Sequence, residues 1–185
     1  MGKINKSMKN ILFSVFLLIL TFSMYAQQQN QKVWDDDLGK KVLVGLCDRE
    51  ALLHGDFGEI FKKEYNSYHP DQKTANRLKE FIALHPDQYK IVVIFGEWCG
   101  DSKREVPRFF KLMDTVMFPE SNLEIYAVNR KKQGVTVDLS KYQVEYVPVF
   151  IVYESDKEIG RIVEAPEESL EKDLLSIFEK TKTND

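Results

Sequence analysis

The chain has 185 residues, is 43% apolar and 30% charged, and carries a formal net charge of −3. That apolar share suits a folded core rather than a disordered chain, and a mildly acidic balance argues against nucleic acid as a partner. Two cysteines, Cys47 and Cys99, are too few for a disulfide scaffold.

Lys3, Lys6 and Lys9 precede a short apolar run over residues 11–20, and residues 21–26 end in the small Ala26. This is the layout of a Sec-type signal peptide over residues 1–26, too short in its apolar part to span a bilayer, which takes ~20 residues. We expect cleavage after Ala26, no stable membrane insertion afterwards, and a secreted or periplasmic protein. Losing three lysines moves the net charge from −3 to −6. The mature chain is expected to be one domain, with residues 27–87 as an extension packed on a core of residues 88–185.

Residues 27–40 are polar and read as a flexible lead-in. Residues 41–47 predict a short strand, and Asp48 a helix cap ahead of residues 49–51. Phe57, Ile60, Phe61, Tyr65 and Tyr68 are spaced for a helix face, an aromatic stripe better suited to core packing than to a binding groove. Asp71 starts a second helix carrying Leu78, Phe81, Ile82 and Leu84. Residues 85–87, His-Pro-Asp, break the chain ahead of 91–95, an unbroken apolar run that predicts a strand buried on both faces. Gly96 ends that strand, and the pattern Val106, Phe109, Phe110, Met113 gives the next segment the apolar face of a helix. Residues 123–128 predict a strand, and 130–142 a polar crossing with a short helix near 139–142. Strands over 149–153 and 158–163 form a hairpin, and Pro166 opens a last helix with Leu170, Leu174, Leu175, Ile177 and Phe178 facing inward.

Cys99 stands where the central strand gives way to a helix. Unpaired N–H groups and the helix dipole favour a negative charge at such a place, so the thiolate, the nucleophilic form, is favoured as well. A buried, inert cysteine is the plainer alternative. The surrounding Trp98-Cys99-Gly100-Asp101-Ser102, with Pro107 eight residues after the cysteine and Pro148 far downstream, resembles the active-site landmarks of the thioredoxin superfamily. Within it, the chain is similar to a secreted bacterial thioredoxin-like group carrying this Cys-Gly-Asp-Ser form. The resemblance spans roughly residues 88–181. It implies an α/β fold, a thioredoxin-like three-layer sandwich with a mixed central sheet and helices on both faces, preceded here by a helical N-terminal extension.

The resemblance also implies roles. Cys99 is the nucleophile; Trp98, Gly100, Val147 and Pro148 shape the substrate groove, with Pro148 cis and the Val147 backbone offered to a partner chain. Two positions depart from the family pattern. Ser102 stands where the second cysteine belongs, and a hydroxyl cannot resolve a mixed disulfide, although it can hydrogen-bond the thiolate. Val93 stands where the family places a buried acid that assists proton transfer. Cys47 is a candidate resolving or disulfide partner for Cys99, with a bystander thiol as the default. His54, His69 and His85 show no ligand spacing, so no metal is expected. Cys-Gly-x-Ser also resembles monothiol glutaredoxins, which share an iron–sulfur cluster with glutathione; Trp98, the export signal and the lack of a glutathione-binding pattern weigh against that, and no cofactor is expected. Two functions stay open. One is an exchange enzyme, a weak reductase or isomerase that forms mixed disulfides with protein or small thiols and needs an external thiol. The other is a redox-inactive binding module that keeps the groove.

Overall fold

The computed structural model describes Asn10, residues 29–85 and residues 87–180. The expected signal peptide, apart from Asn10, lies outside the described residues. Among the described residues six strands form one sheet: β1 (Gln31–Asp35), β2 (Lys40–Cys47), β3 (Tyr89–Phe95), β4 (Leu123–Ala127), β5 (Val149–Glu154) and β6 (Lys157–Val163). Their spatial order is β1-β2-β4-β3-β5-β6. Only the β3–β4 pair is parallel; the others are antiparallel. Among residues 29–85 and 87–180, four α-helices accompany them: α1 (Gly55–Ser67), α2 (Gln72–Leu84), α3 (Gly100–Val116) and α4 (Leu170–Glu179).

Strand β3 explains the layering. Ile91, Val93 and Phe95 point to one side and join a core built with all four α-helices. Val92 and Ile94 point to the other, where they meet Val128, Leu139, Tyr142, Val147, Val149 and Ile151. A strand buried on both faces must be apolar throughout, which is why 91–95 shows no alternation. The second face carries the segment after β4, with a single 3-10 turn, Ser140–Tyr142, where a short helix is expected. The expected mixed sheet and three layers are therefore present, with the layers very unequal in thickness.

Three local expectations are corrected. Residues 31–35 are a strand and not a flexible lead-in. Strand β1 pairs with β2, with Val33 opposite Val42. The hairpin turn is closed by Asp35 Oδ1, which accepts from the Leu38 N–H at 3.0 Å, and by Gly39 at φ 62°. The strand lacks apolar alternation because it is an edge, so periodicity missed it. The extension is accordingly not only helical: two strands precede its helices. The last helix starts at Leu170, capped by Ser169, and not at Pro166.

Two buried carboxylates lock the helical layer. Glu171 accepts from the Tyr68 hydroxyl at 2.6 Å and from the Asp71 N–H at 2.9 Å, joining the α1–α2 corner to α4. Glu105 pairs with Arg104 at 2.5 Å and lies 3.7 Å from Arg108, which also reaches Glu64 on α1. Between helix and sheet, the rings of Phe109 and Phe150 stack with centroids 4.6 Å apart.

Candidate functional site

The site forms where β3 stops. After Phe95 the chain turns tightly, with the Cys99 N–H donating to the Gly96 carbonyl at 2.9 Å. Cys99 has extended backbone angles and is the N-cap of α3, its carbonyl accepting the first helical bond from Lys103 at 3.1 Å. The expected strand–cysteine–helix order is thus present. The thiol is half-buried, and Cys99 Sγ donates to the Val147 carbonyl at 3.1 Å.

That carbonyl precedes Pro148, and the Val147–Pro148 peptide bond is cis, as the resemblance implies. Residues 48 apart in sequence meet because β5 pairs with β3 and brings its N-terminal end beside the β3 C-terminus, Val149 opposite Ile94. The Val147 side chain itself is buried in the second-face core. Gly100 opens α3 in an exposed position with open space where a side chain would stand.

Trp98 folds back over the strand ends, its indole N–H donating to the Val128 carbonyl at 2.9 Å. It packs beside Cys99 on the second-face core. Gly96 makes room for this ring: a Cβ there would lie 2.6 Å from indole atoms. We expect Gly96→Ala to push the indole off Val128 and cost about 1–3 kcal/mol through overpacking, read as a lower urea midpoint with a shifted tryptophan emission. An unchanged midpoint and spectrum would show that the indole is not seated there.

Ser102 is fully buried, and its hydroxyl oxygen accepts from the Gly96 N–H at 3.2 Å. The side chain at the fourth place of the motif is therefore tied to the strand end beneath the thiol. Val93 lies in the helix-side core, fully buried among apolar groups. Cys47 is also in that helix-side core, across the sheet from Cys99, and both thiols are free. Its sulfur donates to the Gly45 carbonyl at 3.3 Å, and burial pushes the thiol up to about 12. Among the described residues no cluster of His, Cys, Asp or Glu could hold a metal ion, and no helix is long and apolar enough to cross a membrane.

Sequence reasoning passed over Glu97. Strand β4 pairs with β2 only over residues 45–47 and ends at Ala127, so it leaves the first half of β2 uncovered. Glu97 Oε2 fills that gap, accepting from the Leu43 N–H at 2.8 Å. The residue before Trp98 thereby anchors the site loop to the N-terminal hairpin. No local signal marks a contact across 54 residues.

The thioredoxin family matches residues 59–175, more than half of the chain and reaching back into α1. The chain belongs to the thioredoxin family. A thioredoxin-like protein of Acanthamoeba polyphaga mimivirus is 27% identical over 101 residues, covering 53% of this chain and 71% of the viral protein. Among solved structures, a protein of unknown function from Pseudomonas aeruginosa is 18% identical with a TM-score of 0.44, covering 66% of this chain and 81% of its own. Thioredoxin from Fasciola hepatica is 20% identical with a TM-score of 0.36, covering 57% and 92%.

Proposed function

We propose that this protein is an exported monothiol member of the family that exchanges disulfides through Cys99. One observation carries the reading: a half-buried thiol caps a helix beside the carbonyl that precedes a cis-proline, while the next helical turn holds a hydroxyl, Ser102, instead of a second thiol.

The chemistry rests on that inventory. The Cys99 thiol, hydrogen-bonded to the Val147 carbonyl, gives up its proton to solvent, and the thiolate attacks one sulfur of a partner disulfide. A new S–S bond joins Cys99 to that sulfur, and the other leaves as a thiolate that takes up a proton from solvent. With Ser102 in place of a resolving thiol, the mixed disulfide persists until an external thiol attacks it, which frees Cys99 and oxidises that thiol. Val93 offers no buried carboxylate to move the proton, which makes resolution slower still. The protein acts in this reading as a weak reductase or isomerase for thiol- or disulfide-bearing proteins or small thiols. The lysine-rich start and short apolar run of residues 1–26 support export to the periplasm or beyond.

Intact-mass spectrometry of native protein tests both parts. The expected mass lacks residues 1–26, and incubation with a model disulfide adds one adduct, released by a small thiol and absent from Cys99→Ala. Burial pushes the Cys47 thiol up and keeps it protonated at pH 8, so Cys47→Ala keeps the adduct. A cytoplasmic protein with an intact N-terminus would refute export. A native protein that forms no adduct, when the unfolded chain labels at Cys99, would refute exchange and leave a binding module.

A further inference from the structure

Directly after Val128 the chain makes a tight turn whose backbone is held by Asn129. Its Oδ1 accepts from the N–H groups of Lys131 and Gln133, each at 3.0 Å, and its carbonyl accepts from the Lys132 N–H at 2.8 Å. The turn displays Arg130, Lys131 and Lys132 on its outer side, all three exposed. Most basic groups near the core of this protein are spent on carboxylates, as with Arg49, Arg104, Arg108 and Arg161. Among the described residues these three have no ion-pair partner.

Two short links fix the turn beside the thiol. On one side Val128, the residue before Asn129, holds the Trp98 indole. On the other, Lys132 Nζ lies 5.6 Å from the ring of Tyr146, an exposed side chain adjoining the Val147 carbonyl that meets Cys99. Behind the turn an open cleft of about 850 Å³ runs between Lys132, Val135, Leu139 and Val144. Val144, on its wall, packs on the same core as Trp98 and Cys99. The carboxylates nearby are largely occupied: Asp138 accepts from the Ser140 N–H, Asp101 pairs with Arg104, and Glu97 accepts from Leu43. Among the described residues Glu145 and Glu164, the latter donating its N–H to the Pro148 carbonyl at 2.7 Å, are carboxylates without an ion pair, against the three cations of the turn.

An acidic protein thus carries a fixed cationic rim at its one half-exposed thiol. We propose that this rim selects partner proteins whose reactive disulfide is flanked by acidic residues, which dock on the Arg130–Lys131–Lys132 turn as Cys99 attacks. The proposal rests on the exchange reading above and names its substrate class. The exchange step is the one already described: Cys99 bonds one partner sulfur, and the other departs as a thiolate.

The test compares rates of adduct formation with disulfide-linked short peptides whose flanks are acidic, neutral or basic. We expect the acidic peptide to react about tenfold faster than the basic one at low salt, with the ratio shrinking to about twofold at ~0.5 M salt as screening sets in. The combined variant Arg130→Glu, Lys131→Glu, Lys132→Glu is expected to invert the ratio. Neutral peptide that reacts without any acidic preference, or a preference that survives charge reversal, would overturn the rim while leaving the thiol reading intact. If no peptide reacts, calorimetry with an acidic peptide carrying Ser for Cys decides: heat lost in the variant supports the rim, and no heat overturns it.

Discussion

Replacing Ser102 with Cys is expected to shorten the life of the Cys99 mixed disulfides by about 100-fold or more, because attack by a thiol one turn away is intramolecular. Residues three apart on a helix are neighbours, and their Cα separation falls in the range a disulfide accepts. Burial sets the cost. The Ser102 oxygen accepts from the Gly96 N–H at 3.2 Å in a fully buried place, and a sulfur accepts more weakly, so the reduced variant loses about 1 kcal/mol. Recovery of full dithiol activity is not expected, since Val93 still provides no proton acceptor. Adduct decay followed by intact mass, with and without added thiol, measures the effect. Adducts in the variant as long-lived as in wild type would mean that the side chain at 102 stays turned to the strand end and never reaches Cys99.

The largest effect on stability is expected from Phe150→Ala. The Phe150 ring is fully buried and stacks on Phe109 at 4.6 Å, a contact between the strand that comes after Pro148 and the helix that Cys99 caps. Removing it deletes apolar burial and leaves a cavity, together about 3–5 kcal/mol. A folded domain has roughly 5–15 kcal/mol in all, so the variant keeps only part of its margin. Phe150→Leu fills most of the space and is expected to cost less than half as much. Urea unfolding monitored by circular dichroism reads both. Near-equal midpoints for wild type and Phe150→Ala would show that this ring pair does not join the two halves of the site.

Taken together, the two variants separate the chemistry of the site from its support. In the proposed exchange Ser102 bears on which thiol attacks next, and its hydroxyl accepts from the Gly96 N–H. Phe150 touches no reacting atom, yet it holds β5, and with it the Val147 carbonyl, against α3.

Much of this was written locally. The apolar run 91–95, the cysteine after it and the periodic Val106, Phe109, Phe110 and Met113 determined a strand, a cap and a helix, since each depends on residues within a turn or two. Asp71 and the hairpin of β5 and β6 were legible for the same reason. The motif with Pro107 and Pro148 named the family before any contact was known. Only the tertiary structure decided what Cys99 meets. Strand order puts Val147 against its sulfur, Glu97 against Leu43, and a cationic turn against Tyr146. It also carries Cys47 to the opposite side of the sheet from Cys99. An edge strand such as β1 escapes periodicity because neither face need be apolar, and its place comes from its partner. Contacts across dozens of residues are set by which strands pair and in what register, and no short stretch of sequence holds that information.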